Sequence, residues 1–332
     1  MGDATADDKI VVVSGAALAT ARDRVSELVE AFLSGRKKTT LDAYRRDLEV
    51  FAEFMGVASP TEAAAVLFQQ VPGDANALVL RWRTQLVGEG LSAATVNRRL
   101  AAVRSLSKLA RMLGLVPWTV EVPDLDSQAF RDTRGPGADG FRRMLEVVEG
   151  KTDRGTLRNR AILWMLYGMG LRRFEVTGLC IGHLDLRGRR AWILGKGRTE
   201  RELVTIPEAT FTAICDWLRV HPGVTSAKAG QDVARMPLFV SLDNASFEHR
   251  LSNRSIDRIV RAIGASVGLH VWPHGLRHAA ITEVLDATGG DVRTARKFAR
   301  HRNPATTLLY DDNREDLAGQ AAELISRRGG KV

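Results

Sequence analysis

From Val25 the apolar residues fall at Val25, Leu28, Val29, Phe32 and Leu33, the i, i+3, i+4, i+7, i+8 stripe of a helix with one buried face. A second run places Tyr44, Leu48, Phe51 and Met55 on one side of a helix that starts after Thr39-Thr40 and stops at Gly56. A third helix is predicted over about residues 75–87, stopped by Gly88 and Gly90. A fourth follows the N-cap candidate Ser92 and turns Val96, Leu100, Val103 and Leu106 inward. These four helices predict a small helical domain over 21–115, behind a loose arm at 1–20. Pro117, Pro123 and Gly135-Pro136-Gly137 punctuate the polar stretch that follows, which reads as a linker over 116–136.

Beyond residue 137 the helical period returns near 139–148 and 156–167, and then breaks once. Two short alternating runs, 190–194 and 202–206, flank Gly195-Lys196-Gly197-Arg198, which predicts a β-hairpin with a glycine-rich turn. Helices are predicted again over about 208–220, 253–267, 275–287, 290–300 and 314–327. The expected fold is therefore mainly α with a small β region: a four-helix domain, a mixed α/β domain over 137–312, and a tail at 313–332. Asp316, Leu317, Ala321, Leu324 and Ile325 make that tail a short amphipathic helix ending in Arg327-Arg328.

Composition narrows the class. A chain of 332 residues has room for two domains, and its 45% hydrophobic content is ordinary for a globular protein. No apolar run approaches the roughly 20 residues needed to span a bilayer, and the acidic start at 1–9 reads as neither a signal nor a transit peptide. Cys180 and Cys215 build neither a disulfide framework nor a zinc pattern. Both read as core thiols, and a reducing cytoplasm is the expected compartment. The net charge of +9 suggests a polyanionic partner. Of the 48 basic residues 39 are arginine, whose planar fork matches phosphate oxygens, although a genomic bias toward arginine codons would give the same count.

The candidate chemistry lies in the second half. Arg172 follows the helix end at Gly168-Met169-Gly170, and Lys196 sits in the hairpin turn. His274 and Arg277 share a helix face with His278 one turn on from His274, and His301 precedes Tyr310 by nine residues. Two guanidiniums can hold the extra charge that develops on the non-bridging oxygens of an attacked phosphodiester. The lysine, imidazoles and phenol supply a proton donor, proton acceptors and a nucleophile. Taken singly these signals are weak: a lone arginine in a basic chain is usually solvated surface, and Gly-Lys-Gly is usually only a turn. A zinc site is the competing reading, because His270, His274 and His278 are spaced by four and His301 adds a fourth imidazole. Pro273 interrupts a continuous helix there, and no Cys, Asp or Glu completes a ligand set, so no metal and no cofactor are expected. The chain has three tyrosines. Tyr44 lies on an apolar stripe and Tyr167 in an apolar run, while Tyr310 is followed by Asp311-Asp312-Asn313.

In order and spacing these residues resemble the tyrosine recombinase (phage integrase) family across 138–310, and the N-terminal helices look like that family's SAM-like core-binding domain. The resemblance implies a catalytic set of Arg172, Lys196, His274, Arg277, His301 and Tyr310, with Glu175 positioning Arg172 and His278 in a structural role. It implies cleavage and rejoining of double-stranded DNA through a 3′-phosphotyrosyl bond, without metal or ATP. One departure stands out: the family commonly has Leu-Gly before the second histidine, where this chain has Ala299-Arg300. The expected DNA contacts are Lys37, Lys38, Arg45, Arg46, Arg98, Arg99 and Arg104 in the small domain, with Arg173, Arg198 and Arg300 in the large one. The two domains would form a C-shaped clamp. The expected assembly is a homo-tetramer on synapsed DNA and a monomer or dimer when free, with the tail either exchanged between protomers or packed on its own domain. The short N-terminal arm suggests a simple enzyme resembling Xer-like and mobile-element recombinases. The competing readings are a type IB topoisomerase and a non-catalytic DNA-binding protein derived from a recombinase.

Overall fold

The computed structural model describes residues 15–34, 38–126 and 135–308, together with positions 319, 322, 325 and 326. The chain divides into two compact units, Met1–Gln128 and Ala129–Val332.

The first unit contains helices α1 (Gly15–Ser34), α2 (Lys38–Met55), α3 (Pro60–Phe68), α4 (Pro72–Gly88) and α5 (Ala93–Met112). Helix α1 begins inside the segment expected as a loose arm. Helix α3 is one more than the four predicted. Its start is built by Ser59, whose Oγ accepts from Glu62 N at 3.2 Å, while the Glu62 carboxylate accepts from Ala58 N at 3.0 Å. Ser59 at the cap, Pro60 at the first helical position and Glu62 reaching back to Ala58 N make a start signal in the sequence itself. Gly56, at φ +67°, closes α2 as its position suggested. The core gathers Leu28, Phe32, Leu48, Phe51, Trp82, Leu100 and Leu106, with the Phe51 and Trp82 rings 4.8 Å apart. Such side chains contribute about 1.5–3 kcal/mol each on burial.

Residues 116–126, expected as the start of the linker, form an irregular strap on this unit. Val116, Val120 and Val122 enter the core. Ser107 Oγ accepts from Val120 N at 3.0 Å, and Asn97 makes two bonds to the Leu125 backbone, at 2.8 and 2.9 Å. These bonds satisfy backbone groups that no ladder serves.

The second unit holds α6 (Gly137–Glu146), α7 (Arg154–Tyr167), α8 (Arg173–Thr177), α9 (Glu208–Val220), α10 (Pro222–Thr225), α11 (Asn253–Ser266), α12 (Pro273–Ala287), α13 (Val292–Ala299) and α14 (Ala305–Leu308). A three-stranded antiparallel sheet, in the order β1 (Leu184–Asp185), β2 (Arg190–Leu194), β3 (Arg201–Thr205), lies between α8 and α9 in sequence. The hairpin is the predicted one, with Trp192 opposite Leu203, and β1 adds a short edge the alternation did not reveal. Ala191 and Ile193 face the core, while Trp192 and Leu194 face outward. The core packs α7 and α9 around Leu163, Leu166, Ile214 and Trp217, and Trp217 Nε1 donates to Leu238 O at 2.7 Å. The two cysteines are free thiols, each partly exposed rather than fully in the core. Among the described residues no single helix is long and apolar enough to cross a membrane.

Candidate active site

The site starts where α7 ends. Leu171 N reaches back to Met165 O, and Gly170 takes φ +55°, a turn that suits glycine and brings its Cα against the Phe298 ring. A Cβ on Gly170 would stand 2.7 Å from Phe298 Cε1, so the small residue is needed for close approach as well as for its backbone angle. The chain leaves this turn with Arg172 as the residue capping α8. The Arg172 N–H donates to Glu175 Oε2 at 2.8 Å and its Nη1 donates to Oε1 at 3.0 Å. The Glu175 side chain is 0% exposed, so this charge-assisted pair is shielded from water and the arginine is held at both ends.

Helix α12 supplies the second guanidinium. Pro273 opens it in the first helical position, and Arg277 follows one turn on from the exposed His274. Arg277 is 1% exposed. Its Nη1 donates to Gly170 O and its Nη2 to Ala299 O, so one side chain staples the turn before Arg172 to the end of α13. His278, on the buried side of α12, has its Nδ1 3.5 Å from Thr282 Oγ1.

Helix α13 ends in a Schellman motif: Arg300 N bonds Lys297 O at 3.1 Å and His301 N bonds Arg296 O at 3.2 Å. His301 is buried directly after this cap, with Nδ1 2.9 Å from Thr307 Oγ1. Its pKa is pushed down to about 4, first by burial and then by the positive charges of Arg277, Arg172 and Arg300, with His274 adding to them. His301 is therefore a neutral imidazole at neutral pH, set among three guanidiniums.

The structure thus gathers Arg172, Glu175, Arg277 and His301 around one buried cluster, with His274 close enough to act on the His301 charge. It also draws in Arg300, expected among the DNA contacts. That expectation is corrected: the Arg300 side chain is 5% exposed and points inward to Met169 O, Gly170 O, Phe298 O and Glu175. Lys196 is not part of the cluster. It stands exposed in the β2–β3 turn, where the nearest charge pair is Arg198 with Glu202 at 2.8 Å. Arg173 is half-exposed and pairs with Asp257 at 3.4 Å. Tyr310 lies outside the described residues, as do the tail's amphipathic positions 316, 317, 321 and 324. Spacing gave no reason to single out Gly170, whose packing joins it to Phe298 far along the chain, or Thr307, whose bond to His301 six residues earlier depends on the turn between them.

In the first unit, Arg45 and Arg46 are exposed on α2, and Lys37 and the Lys38 side chain lie outside the described residues. Arg98 is bonded to Asp47, a buried carboxylate on α2. Burial raises the Asp47 pKa, while Arg98, Arg99 and Arg46 pull it down. Arg98 thus bonds this acid directly, while Arg99 and Arg46 act on it through their charge. Arg104 is turned to the strap instead, donating to Val122 O at 3.2 Å and pairing with Asp124. Among the described residues no cluster of three or more His, Cys, Asp or Glu side chains is placed to hold a metal ion.

Comparison with known proteins places both halves. A family model described as the phage integrase family matches residues 138–316, and one described as the phage integrase N-terminal SAM-like domain matches residues 29–112. A tyrosine recombinase of Synechococcus elongatus is 36% identical over 326 residues, covering 96% of this chain and 98% of its own. The tyrosine recombinase XerC of Pelobacter propionicus is 32% identical over 275 residues, covering 82% and 83% of the two chains. Among solved structures, the Tn1549 transposon integrase in complex with transposon right end DNA superposes with a TM-score of 0.66 at 16% identity, over 92% of this chain and 99% of that one. A lambda integrase dimer bound to a core site gives 0.63 at 13% identity, over 90% and 78%. At these identities the structural matches speak for the fold.

Proposed function

The chain belongs to the phage integrase family of tyrosine recombinases, enzymes that transfer DNA strands, and from that premise we propose that Tyr310 cuts duplex DNA at a specific site, with the buried cluster as its phosphate hole. The single observation that supports this most is the joint placement of Arg172, Arg277 and His301, tied by Glu175 and by the carbonyls of Gly170 and Ala299. Guanidiniums fixed before substrate arrives stabilise the charge of a pentacoordinate phosphorus without reorganising during the reaction.

In this reading Tyr310 Oη attacks the scissile phosphorus in line. The new P–O bond to tyrosine forms as the bond to the 5′ oxygen breaks, leaving a 3′-phosphotyrosyl enzyme. His274, at the open end of α12, takes the phenolic proton, and Lys196 on the hairpin turn protonates the departing 5′ oxygen. Arg172 and Arg277 hold the non-bridging oxygens. His301 accepts from Thr307 through Nδ1, carries its hydrogen on Nε2 and donates it to the phosphate. A partner strand's 5′ hydroxyl reverses the step, so rejoining needs no ATP. The nucleophile assignment is supported by the other two tyrosines. Tyr44 stacks on Phe32 at 5.6 Å, and Tyr167 stacks on Phe141 at 3.8 Å with its phenol pushed up to about 12 by burial.

The basic cluster of Arg46, Arg98 and Arg99, with Arg45 beside it, is the phosphate-contacting face of the first unit in this proposal. Two synapsed duplexes would carry a homo-tetramer, and the tail at 313–332 would dock on a neighbour. The test is a nicked suicide duplex bearing a candidate core site, incubated with wild type and Tyr310→Phe and resolved on denaturing gels. A covalent adduct with wild type alone is the expected result. No adduct from wild type bound to that duplex would overturn the catalytic reading.

A further inference from the structure

Residue 300 occupies the left-handed position of the Schellman cap, at φ 53° and ψ 42°. That position favours glycine, and any other L residue there costs about 1 kcal/mol. The cap itself needs only the backbone. Burying a guanidinium is a second cost, and burial does push the Arg300 pKa down, with Glu175 pushing it back up. Four bonds offset these costs, to Met169 O at 3.2 Å, Gly170 O at 3.2 Å, Phe298 O at 3.1 Å and Glu175 Oε2 at 3.2 Å, while the buried Nε has no hydrogen-bond partner among the described residues. The acceptors are the turn that delivers Arg172 and the carboxylate that grips it. Glu175 Oε1 takes Arg172 Nη1, while Oε2 takes both the Arg172 N–H and Arg300 Nη2.

We propose that Arg300 is a positioning residue: from behind the site it fixes the Glu175 carboxylate and the Met169-Gly170 carbonyls, and so sets the direction of the Arg172 guanidinium. The proposal rests on the recombinase reading above. With Arg300 in place, two guanidiniums share the Glu175 carboxylate and Arg277 is held on the carbonyls beside it, so two positive charges remain in excess where the scissile phosphate arrives. Without it, Glu175 keeps only Arg172 and can turn with it.

The experiment uses the full chain and single-turnover cleavage of the nicked duplex at saturating protein, with duplex affinity and thermal unfolding measured on the same proteins. Arg300→Gly places the relaxed residue in the cap and removes the side chain. It should unfold within a few degrees of wild type and bind duplex within about threefold, yet cleave about tenfold more slowly or worse. Arg300→Lys, with the same backbone cost and a retained charge, should recover most of that loss. In a Glu175→Gln background, Arg300→Gly should cost at least about threefold less than it does in wild type, because the charged acceptor is gone and only its bonds to the Met169-Gly170 carbonyls are left to lose. Wild-type cleavage by Arg300→Gly overturns the proposal. So do equal losses in both Glu175 backgrounds, or failure of both Arg300 variants to fold, since each assigns the side chain to the fold alone. Absence of any wild-type adduct sinks the recombinase reading instead, so the two failures are distinguishable.

Discussion

Gly170→Ala perturbs the turn on which the proposed phosphate hole is built. Two costs add. An alanine at φ +55° enters the left-handed region, at about 1–2 kcal/mol. Its Cβ would also lie 2.7 Å from Phe298 Cε1 and 3.0 Å from Cζ, so the ring or the turn has to move, and overpacking of this kind costs about 1–3 kcal/mol. The stiffer unfolded chain returns about 0.4–1 kcal/mol. The net loss is about 1–4.6 kcal/mol, centred near 3, and at that centre the melting temperature of a unit of this size falls by about 6–12 °C. Gly268→Ala is the matched control: φ is +71°, but nothing lies within 4 Å of its Cβ, so only the backbone term applies. Because Gly170 O receives both Arg277 and Arg300, moving the turn misplaces Arg172 and its neighbours together. Single-turnover cleavage should fall about 100-fold with duplex affinity unchanged. Thermal unfolding and suicide-substrate cleavage read the two effects separately. Equal stability of the two alanine variants, with wild-type cleavage by Gly170→Ala, would refute the close-packing argument.

Four further outcomes are expected. His301 stays neutral in the fold down to about pH 4, whereas an unfolded histidine takes up its proton near 6.5, so stability falls as pH drops through that window; pH-dependent unfolding of wild type against His301→Asn should converge toward pH 4, and a constant difference would contradict it. Arg98→Ala strips the buried Asp47 of its bonded partner and should cost about 2 kcal/mol in urea unfolding. Arg45→Ala should leave stability nearly unchanged while lowering the salt slope of duplex binding by about 1, and the reverse assignment of those two effects would refute the geometry. Ser59→Ala removes the cap of α3 and should cost about 1 kcal/mol by the same unfolding measurement, with no change there if the cap is incidental.

The legible parts of this chain were local. Apolar spacing found α2, α4 and α5, the turn at Lys196 announced the hairpin, and the pairing of His274 with Arg277 needed only helix geometry. Helix α3 was missed although Ser59, Pro60 and Glu62 spell its start, because its alanines carry a weak apolar stripe. The strap at 116–126 resembles a linker in sequence because prolines and polar residues dominate it, and the hydrogen bonds that hold it run to Asn97 and Ser107 on another helix. Arg300 failed for a related reason. Sequence assigns an arginine in a basic chain to the surface, and only the fold brings Glu175 within reach, 125 positions earlier. What spacing could not supply was the set of carbonyls, Gly170 and Ala299 among them, on which the guanidiniums are held.

Those carbonyls have a consequence for the protein before it meets DNA. Backbone oxygens and a single carboxylate hold three like charges together, and in the proposed function an oxyanion among them would offset their mutual repulsion. Ligand binding and folding stability are then coupled. On the proposed function, sulfate or phosphate in a storage buffer is expected to stabilise the second unit and, in the same act, to compete with the DNA backbone for the cluster.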